Sequence, residues 1–318
     1  MVGVHMQTWI AMCCFACCSV GMLVFNKMAV SAFPLQCTLV SLQMAFTVVA
    51  MLVFFPTLHF GSMRDVLRWS MVAPFFTGML LTSILSLKHA PMSLLVVFRV
   101  LSPLLSLFCE RLFPNPLHVS KWMMLSVCAM VAGTTLYARD MSKSDMSGIP
   151  WICVNMIIAV ADRLIQRVML AKDQCPVDIS LTGITLISNL WGTIFVTLAA
   201  AITGEFAMVP STVAALTSMD KVWIFLSCVV GAGISFCGVW TQKLISATSF
   251  LVMVNVNKFA IILAECSHTL SVAMGHKALT PTQIFAALIT ILAGVGYGKA
   301  REACEHVQEP EKKPIMPK

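Results

Sequence analysis

Apolar runs of about twenty residues, parted by short clusters of charge, proline and glycine, recur from Thr8 to Tyr297. A helix needs about 20 predominantly apolar residues to cross a bilayer. The breaks delimit ten such segments, at about 7–25, 33–55, 69–87, 90–110, 119–137, 149–171, 179–202, 222–241, 246–272 and 280–298. Short connectors suit antiparallel neighbours in a bundle. From Lys299 the chain turns polar, KAREACEHVQEPEKKPIMPK, and reads as a disordered soluble tail. The pattern predicts an all-α membrane protein with one transmembrane domain over 1–298, in halves of about 1–145 and 146–298, and a cytosolic tail over 299–318.

Composition agrees with that reading. Of 318 residues 58% are hydrophobic and 11% charged, against roughly 25% charged in a soluble domain. Such a chain cannot clothe a globular surface in polar groups. No basic residue precedes the apolar run after Thr8 and no cleavage-like site follows it, so the first helix is expected to stay as a span. Ten spans place both termini on one side. That side collects twelve basic residues in its connectors and tail, the other six, which predicts cytosolic termini. The net charge of +7 sits in short connectors without a basic run, so nucleic acid is not an expected partner. The cysteines of CCFACC (Cys13, Cys14, Cys17, Cys18) lie within a span, where cysteine packs as a small hydrophobe, and no second ligand pair stands at a metal-like spacing. No phosphate loop, HExxH or carboxylate pair is present, and neither a cofactor nor enzymatic chemistry is expected.

Three basic residues fall inside spans: Arg99, Arg163 and Lys258. Lys258 lies twelve residues into the ninth span, about 18 Å along the axis, and Arg99 nine residues into the fourth, about 14 Å. Both depths approach the middle of a roughly 30 Å hydrocarbon layer. A central basic residue costs about 2.5–3.5 kcal/mol on insertion scales and usually faces a cavity. Asn255, three residues before Lys258, shares its helix face, while Asn257 points about 100° away. Glu265 is too far along the helix to pair with Lys258; Glu110 and Asp162 are the other available acids. Two central cations with few central anions point to an anionic ligand, such as one with two phosphates. In NMIIAVADRLIQR, Asn155 and Asp162 share a stripe while Arg163 faces elsewhere, and a structural ion pair near the helix end is the favoured reading. Ser188 and Asn189 in TLISNLWGTIF serve either a ligand or helix–helix contact.

The segment HAPMSLLVVFRVLSPLLSLFCER resembles SATSFLVMVNVNKFAIILAE five spans later. Each places one cation near its centre and then approaches a glutamate. Five spans per half would give the halves opposite orientation, the inverted-repeat plan of many transporters.

FNKMAVSAFPLQCTLVSLQM, with Asn26-Lys27, Phe33-Pro34, Thr38-Leu39 and Gln43, resembles the first connector and second span of the nucleotide-sugar transporter and triose-phosphate translocator group, within the drug/metabolite transporter superfamily. SATSFLVMVNVNKF is similar to SATTYSMVGALNK of Golgi GDP-mannose transporters, and GVGYGKAR (Gly294 to Arg301) resembles the family's closing helix. Against the family's GALNK this chain has Val254, Asn255, Val256, Asn257 and Lys258, keeping the final Asn-Lys. Against FYNN it has Leu186, Ile187, Ser188 and Asn189, keeping one asparagine. The resemblance implies ten helices in two inverted halves around a midplane cavity that exchanges a nucleotide sugar for its nucleoside monophosphate. It favours GDP-mannose as cargo, with UDP-N-acetylglucosamine the competitor.

The expected roles follow. Lys258 and Arg99 hold phosphate, Asn257, Asn255, Asn189 and Ser188 bond base or sugar, and Ser246 and Thr248 line the cavity mouth. The expected setting is a Golgi or endoplasmic-reticulum membrane, with nucleotide sugar, nucleoside monophosphate and lipid bilayer as partners and a homodimer left open. A plastid phosphate translocator would need a transit peptide ahead of the first span. A non-transporting scaffold is the reading from another class.

Overall fold

The computed structural model describes residues 2–308 except 54, 111–118, 140, 142–144, 171–176, 246–249, 251–252, 255, 261 and 263–278. The described elements of eight residues and more are helices, α1 (Val2–Ala32), α2 (Gln36–Val53), α3 (Met63–Ser70), α4 (Ala73–His89), α5 (Met92–Arg99), α6 (Ser102–Glu110), α7 (Lys121–Arg139), α8 (Ile149–Leu170), α9 (Leu181–Ile202), α10 (Glu205–Ala215), α11 (Ser218–Leu244) and α12 (Pro281–Gln308), joined in places by short 3-10 turns. No strand occurs among the described residues. Seven helical stretches there are long and apolar enough to cross a bilayer. Exposed Trp9, Val53, Phe108, Trp122, Leu198 and Ile202 suit a lipid surround. The chain is a multi-pass membrane protein.

Local chemistry sets the helix ends. α1 stops ahead of Pro34, whose ring disfavours helical backbone at the residue before it. Pro74 separates α3 from α4, and Pro103 separates α5 from α6, because a proline lacks the N–H and collides with the carbonyl four residues back. For Pro103 that carbonyl belongs to Arg99. α11 opens with a capping box of Thr217 and Asp220, and α12 opens with Thr280 and Gln283 bonding each other's backbone N–H at 3.2 and 3.0 Å. α12 runs to Gln308, because the polar sequence after Lys299 is made of good helix formers, and Arg301 is buried.

Four pairings build the bundle: α1 against α11, α4 against α8, α2 against α9 and α7 against α12. Without a hydrophobic force between helices in lipid, close approach matters most. Gly133 lets α7 meet Thr290 of α12, and Gly192 lets α9 meet Met44 of α2; a Cβ at either glycine would collide.

The α2–α9 pair is tied at both ends. At one face, which we call the near face, the segment after α2 meets the start of α9. The His59 carbonyl accepts the Ser180 N–H at 2.9 Å, Ser180 Oγ accepts the His59 N–H at 3.0 Å, and the Thr57 and Thr182 hydroxyls lie 2.8 Å apart. At the far face the segment after α9 meets the start of α2. Buried Glu205 accepts the backbone N–H groups of Cys37 and Thr38 at 3.1 and 2.8 Å and the Thr38 hydroxyl at 2.9 Å. A carboxylate there satisfies orphan donors and complements the positive end of the helix dipole.

One expectation is corrected here. Asn26 and Lys27 are not a connector but part of α1, and both are buried. Lys27 Nζ donates to the carbonyls of Leu87 and Ala90, where α4 ends, the latter at 3.1 Å. Helix-terminal carbonyls lack intrahelical donors and attract cations, so a lysine is stable among apolar neighbours.

Candidate functional site: an intramembrane cationic cavity

A cavity of about 310 Å³ opens inside the bundle, lined from α1, α2, α3, α4, α5, α6, α8, α9 and α11 and by Phe250, Val254 and Lys258. The parts of α4, α8, α9 and α11 that line it are those toward the near face, exemplified by Phe76, Gln166, Thr185 and Gln242. Toward the far face packed side chains fill the space, including Leu87, Leu94, Met130 and Tyr137, whose hydroxyl meets Ser93 Oγ at 2.5 Å.

Arg99 stands at the end of α5, where Pro103 interrupts the helix, and its side chain lines the cavity. Its Nε and Nη2 donate to Asn155 Oδ1 at 2.9 and 2.7 Å, and Nη2 also donates to Ser83 Oγ at 3.0 Å. Asn155 is itself fixed, donating from Nδ2 to the Met79 carbonyl at 2.6 Å and to Thr82 Oγ1 at 2.9 Å. Every one of these partners is neutral, so the guanidinium is positioned but its charge is not cancelled. Among the described residues Arg99 forms no ion pair, and its Nη1 has no partner.

Lys258 lines the same cavity, as the sequence predicts. So does Arg163, which corrects the expected ion pair at a helix end: its side chain is exposed on the cavity wall and forms no ion pair among the described residues. Arg99, Arg163 and Lys258 lie within electrostatic reach of one another. Asp162, buried beside them on α8, accepts from Gln166 Nε2 at 2.8 Å through Oδ2, while its Oδ1 is without a partner among the described residues.

Ser188 and Asn189 also reach the wall. Ser188 Oγ accepts the Trp69 indole N–H at 2.9 Å, and Asn189 Nδ2 donates to the Thr185 carbonyl at 2.8 Å within its own helix. Deeper in, Gln43 Nε2 donates to Asn26 Oδ1 at 2.8 Å and to Ser227 Oγ at 2.9 Å, forming a polar floor. Asn257 is buried away from the lining, its Nδ2 unpartnered among the described residues. Ser246, Thr248 and Asn255 lie outside the described residues. Cys13, Cys14 and Cys17 are free and exposed on α1, and no group of metal ligands occurs among the described residues.

Sequence reasoning missed Arg163, Asp162, Gln166 and the Asn26–Gln43 floor as cavity residues. The one available signal was the run Asp162-Arg163, two ionisable residues too far inside an apolar segment for a terminal pair.

Three relatives bear on this geometry. The chain is similar to GDP-fucose transporter 1 of Arabidopsis thaliana, 26% identical over 297 residues that cover 89% of this chain and 83% of the relative. It is similar to GDP-mannose transporter GONST3 of the same plant, 26% identical over 76% of this chain and 66% of the relative. GDP-mannose transporter GONST2, also from A. thaliana, is 24% identical over 91% and 77%. The resemblance read from the sequence is thus borne out: the relatives are nucleotide-sugar transporters. No protein-family model matches the chain. A solved crystal structure superposes on 93% of this chain and 97% of its own at a TM-score of 0.52 and 12% identity, a likeness of fold alone.

Proposed function

From relatives that carry GDP-linked sugars, we propose that this chain is a GDP-sugar antiporter, exchanging a cytosolic GDP-sugar for lumenal GMP by alternating access. The observation that carries the reading is the convergence of Arg99, Arg163 and Lys258 on one cavity, with only neutral partners on Arg99. Uncancelled charge inside a bilayer is costly and marks a substrate path. Among the described lining residues three cations and one carboxylate leave a surplus of two positive charges, and a pyrophosphate diester carries one negative charge on each phosphoryl group. Arg99, preorganised by Asn155, and Lys258 hold the phosphates, with Arg163 as the third cation. Ser188 and Asn189 face the base or sugar. GMP refills the same pocket on the return step, so the cations need not stand empty while the carrier reorients.

The bundle supports two inverted halves of five spans. Exchanging each span for the one five places on turns the α1–α11 pairing into α8–α4 and leaves α2–α9 and α7–α12 unchanged. The reciprocal end contacts of α2 and α9, on opposite faces, follow the same exchange. With cytosolic termini the near face is cytosolic, and the cavity lies on the loading side in a Golgi membrane. GDP-mannose is the favoured cargo.

Counterflow into proteoliposomes tests this. Preloaded GMP is expected to drive uptake of labelled GDP-mannose or GDP-fucose, and preloaded UMP is not. Uptake of UDP-N-acetylglucosamine against UMP at equal rate would overturn the guanine cargo, and uptake of no nucleotide sugar would overturn transport.

A further inference from the structure

Asp162 is 2% exposed, lies on the cavity wall and has one carboxylate oxygen without a hydrogen bond among the described residues. A buried acceptor left unmade costs free energy, and more so when charged. The helix does not resolve it with Arg163, because successive helical residues point about 100° apart and the two form no ion pair. Gln166, one turn on, fixes the carboxylate by donating to Oδ2, so Oδ1 is held in place as a buried acceptor with no donor among the described residues, in a residue that lines the cavity.

We propose that Asp162 reads the base, accepting the N1–H and the exocyclic amino group of guanine through its carboxylate. This rests on the guanine-nucleotide reading above and adds the residue that selects the base. An ionised carboxylate is an acceptor only. Guanine alone among the common bases presents two adjacent donors on its pairing edge. Uracil sets its single N–H between two carbonyl oxygens, which a carboxylate repels. Adenine sets its amino group beside a ring nitrogen that is itself an acceptor. The negative carboxylate thus turns a cationic pocket that would take any nucleotide into one that prefers guanine.

Thermal stabilisation of the detergent-solubilised full chain by nucleoside monophosphates supplies the affinities, since a ligand that binds only the folded state raises its stability in proportion to saturation. For the unaltered chain GMP is expected to bind about tenfold to a hundredfold more tightly than IMP, which lacks the amino group, and 1-methyl-GMP is expected to be rejected similarly. In Asp162→Asn the GMP to IMP ratio collapses toward one. XMP, whose carbonyl replaces the amino group, overtakes GMP because the new amide can donate to it. A purely structural aspartate does not exchange GMP preference for XMP preference. If Asp162→Asn does not fold, Gln166→Met, which frees Oδ2, must narrow the GMP to IMP ratio severalfold. An unchanged ratio in either variant, or equal loss of GMP and UMP as a ribose contact would give, overturns the assignment. If GMP and UMP stabilise the unaltered chain equally, the guanine cargo itself fails; if neither does, the transporter reading fails.

Discussion

Lys27 and Arg99 both interrupt apolar helices with a positive charge, yet the bundle treats the two in opposite ways. Around Lys27 the acceptors include carbonyls that end α4, and the residue is buried and not among those lining the cavity. Around Arg99 the acceptors are one amide oxygen and one hydroxyl, the site opens on a cavity, and two further cations share that space. A lysine has three donors, and helix-terminal carbonyls that lack intrahelical partners suit them well. Arg99 has five donors in a planar fork, and part of that fork is unused among the described residues. A cation inside a membrane therefore does not by itself announce a ligand. What distinguishes the two regions is whether the surrounding acceptors consume the donors or merely aim them.

Charge removal separates the two regions. Lys258→Ala is expected to have the largest effect. Truncating one member of a desolvated charge pair costs about 2–5 kcal/mol, so GMP affinity should fall by roughly thirtyfold or more and counterflow should drop to background. Size-exclusion chromatography of the detergent-solubilised variant should still give the same monodisperse peak. Retained exchange would place the phosphate elsewhere. Arg163→Gln comes next. A charge-assisted hydrogen bond contributes about 1.5–3 kcal/mol, so about a tenfold to hundredfold weaker GMP binding is expected from thermal shift. Unchanged affinity would return Arg163 to the structural role its sequence position suggested.

The comparison also explains what the sequence could reveal. Helix type and membrane class were legible, because long apolar runs admit few alternatives in lipid. Arg99 and Lys258 were legible as a pair because depth in a span can be counted. The break between α5 and α6 was present in the sequence as Pro103, but a proline in an apolar run was outweighed by hydropathy, and its consequence is to seat Arg99 at a helix end on the cavity wall. Asn26 and Lys27 were misplaced for a related reason: two polar residues ahead of Phe33-Pro34 resemble a loop, and only the distant carbonyls of Leu87 and Ala90 make them suitable for a helix interior. The same limit hid Asn155. Its role depends on Met79 and Thr82 holding one end of the amide so that the other meets Arg99, and no spacing along one helix encodes a contact made by three. Glu205 lay in an apparent connector, and nothing local linked it to the start of α2.

Lys27→Met gives the smallest effect on nucleotide binding and the sharpest contrast with Lys258→Ala. Methionine keeps an unbranched side chain of similar length and removes the donors, leaving the Leu87 and Ala90 carbonyls without them. Orphaned buried acceptors cost about 1–3 kcal/mol, so the melting temperature should fall. Because Lys27 is not among the residues lining the cavity, GMP affinity should stay within about twofold of the unaltered chain, as sites without shared partners act independently. Exchange rate behaves differently from affinity. The Lys27 contacts join α1 to the end of α4 at the far face, which the proposed alternating access would open, and weakening them is expected to bias the resting population toward the far-open state. Counterflow at saturating nucleotide should therefore change while binding does not, a combination that loss of a cargo contact cannot produce. If Lys27→Met instead weakens GMP as strongly as Lys258→Ala does, Lys27 serves the cargo and the distinction between consumed and aimed donors collapses.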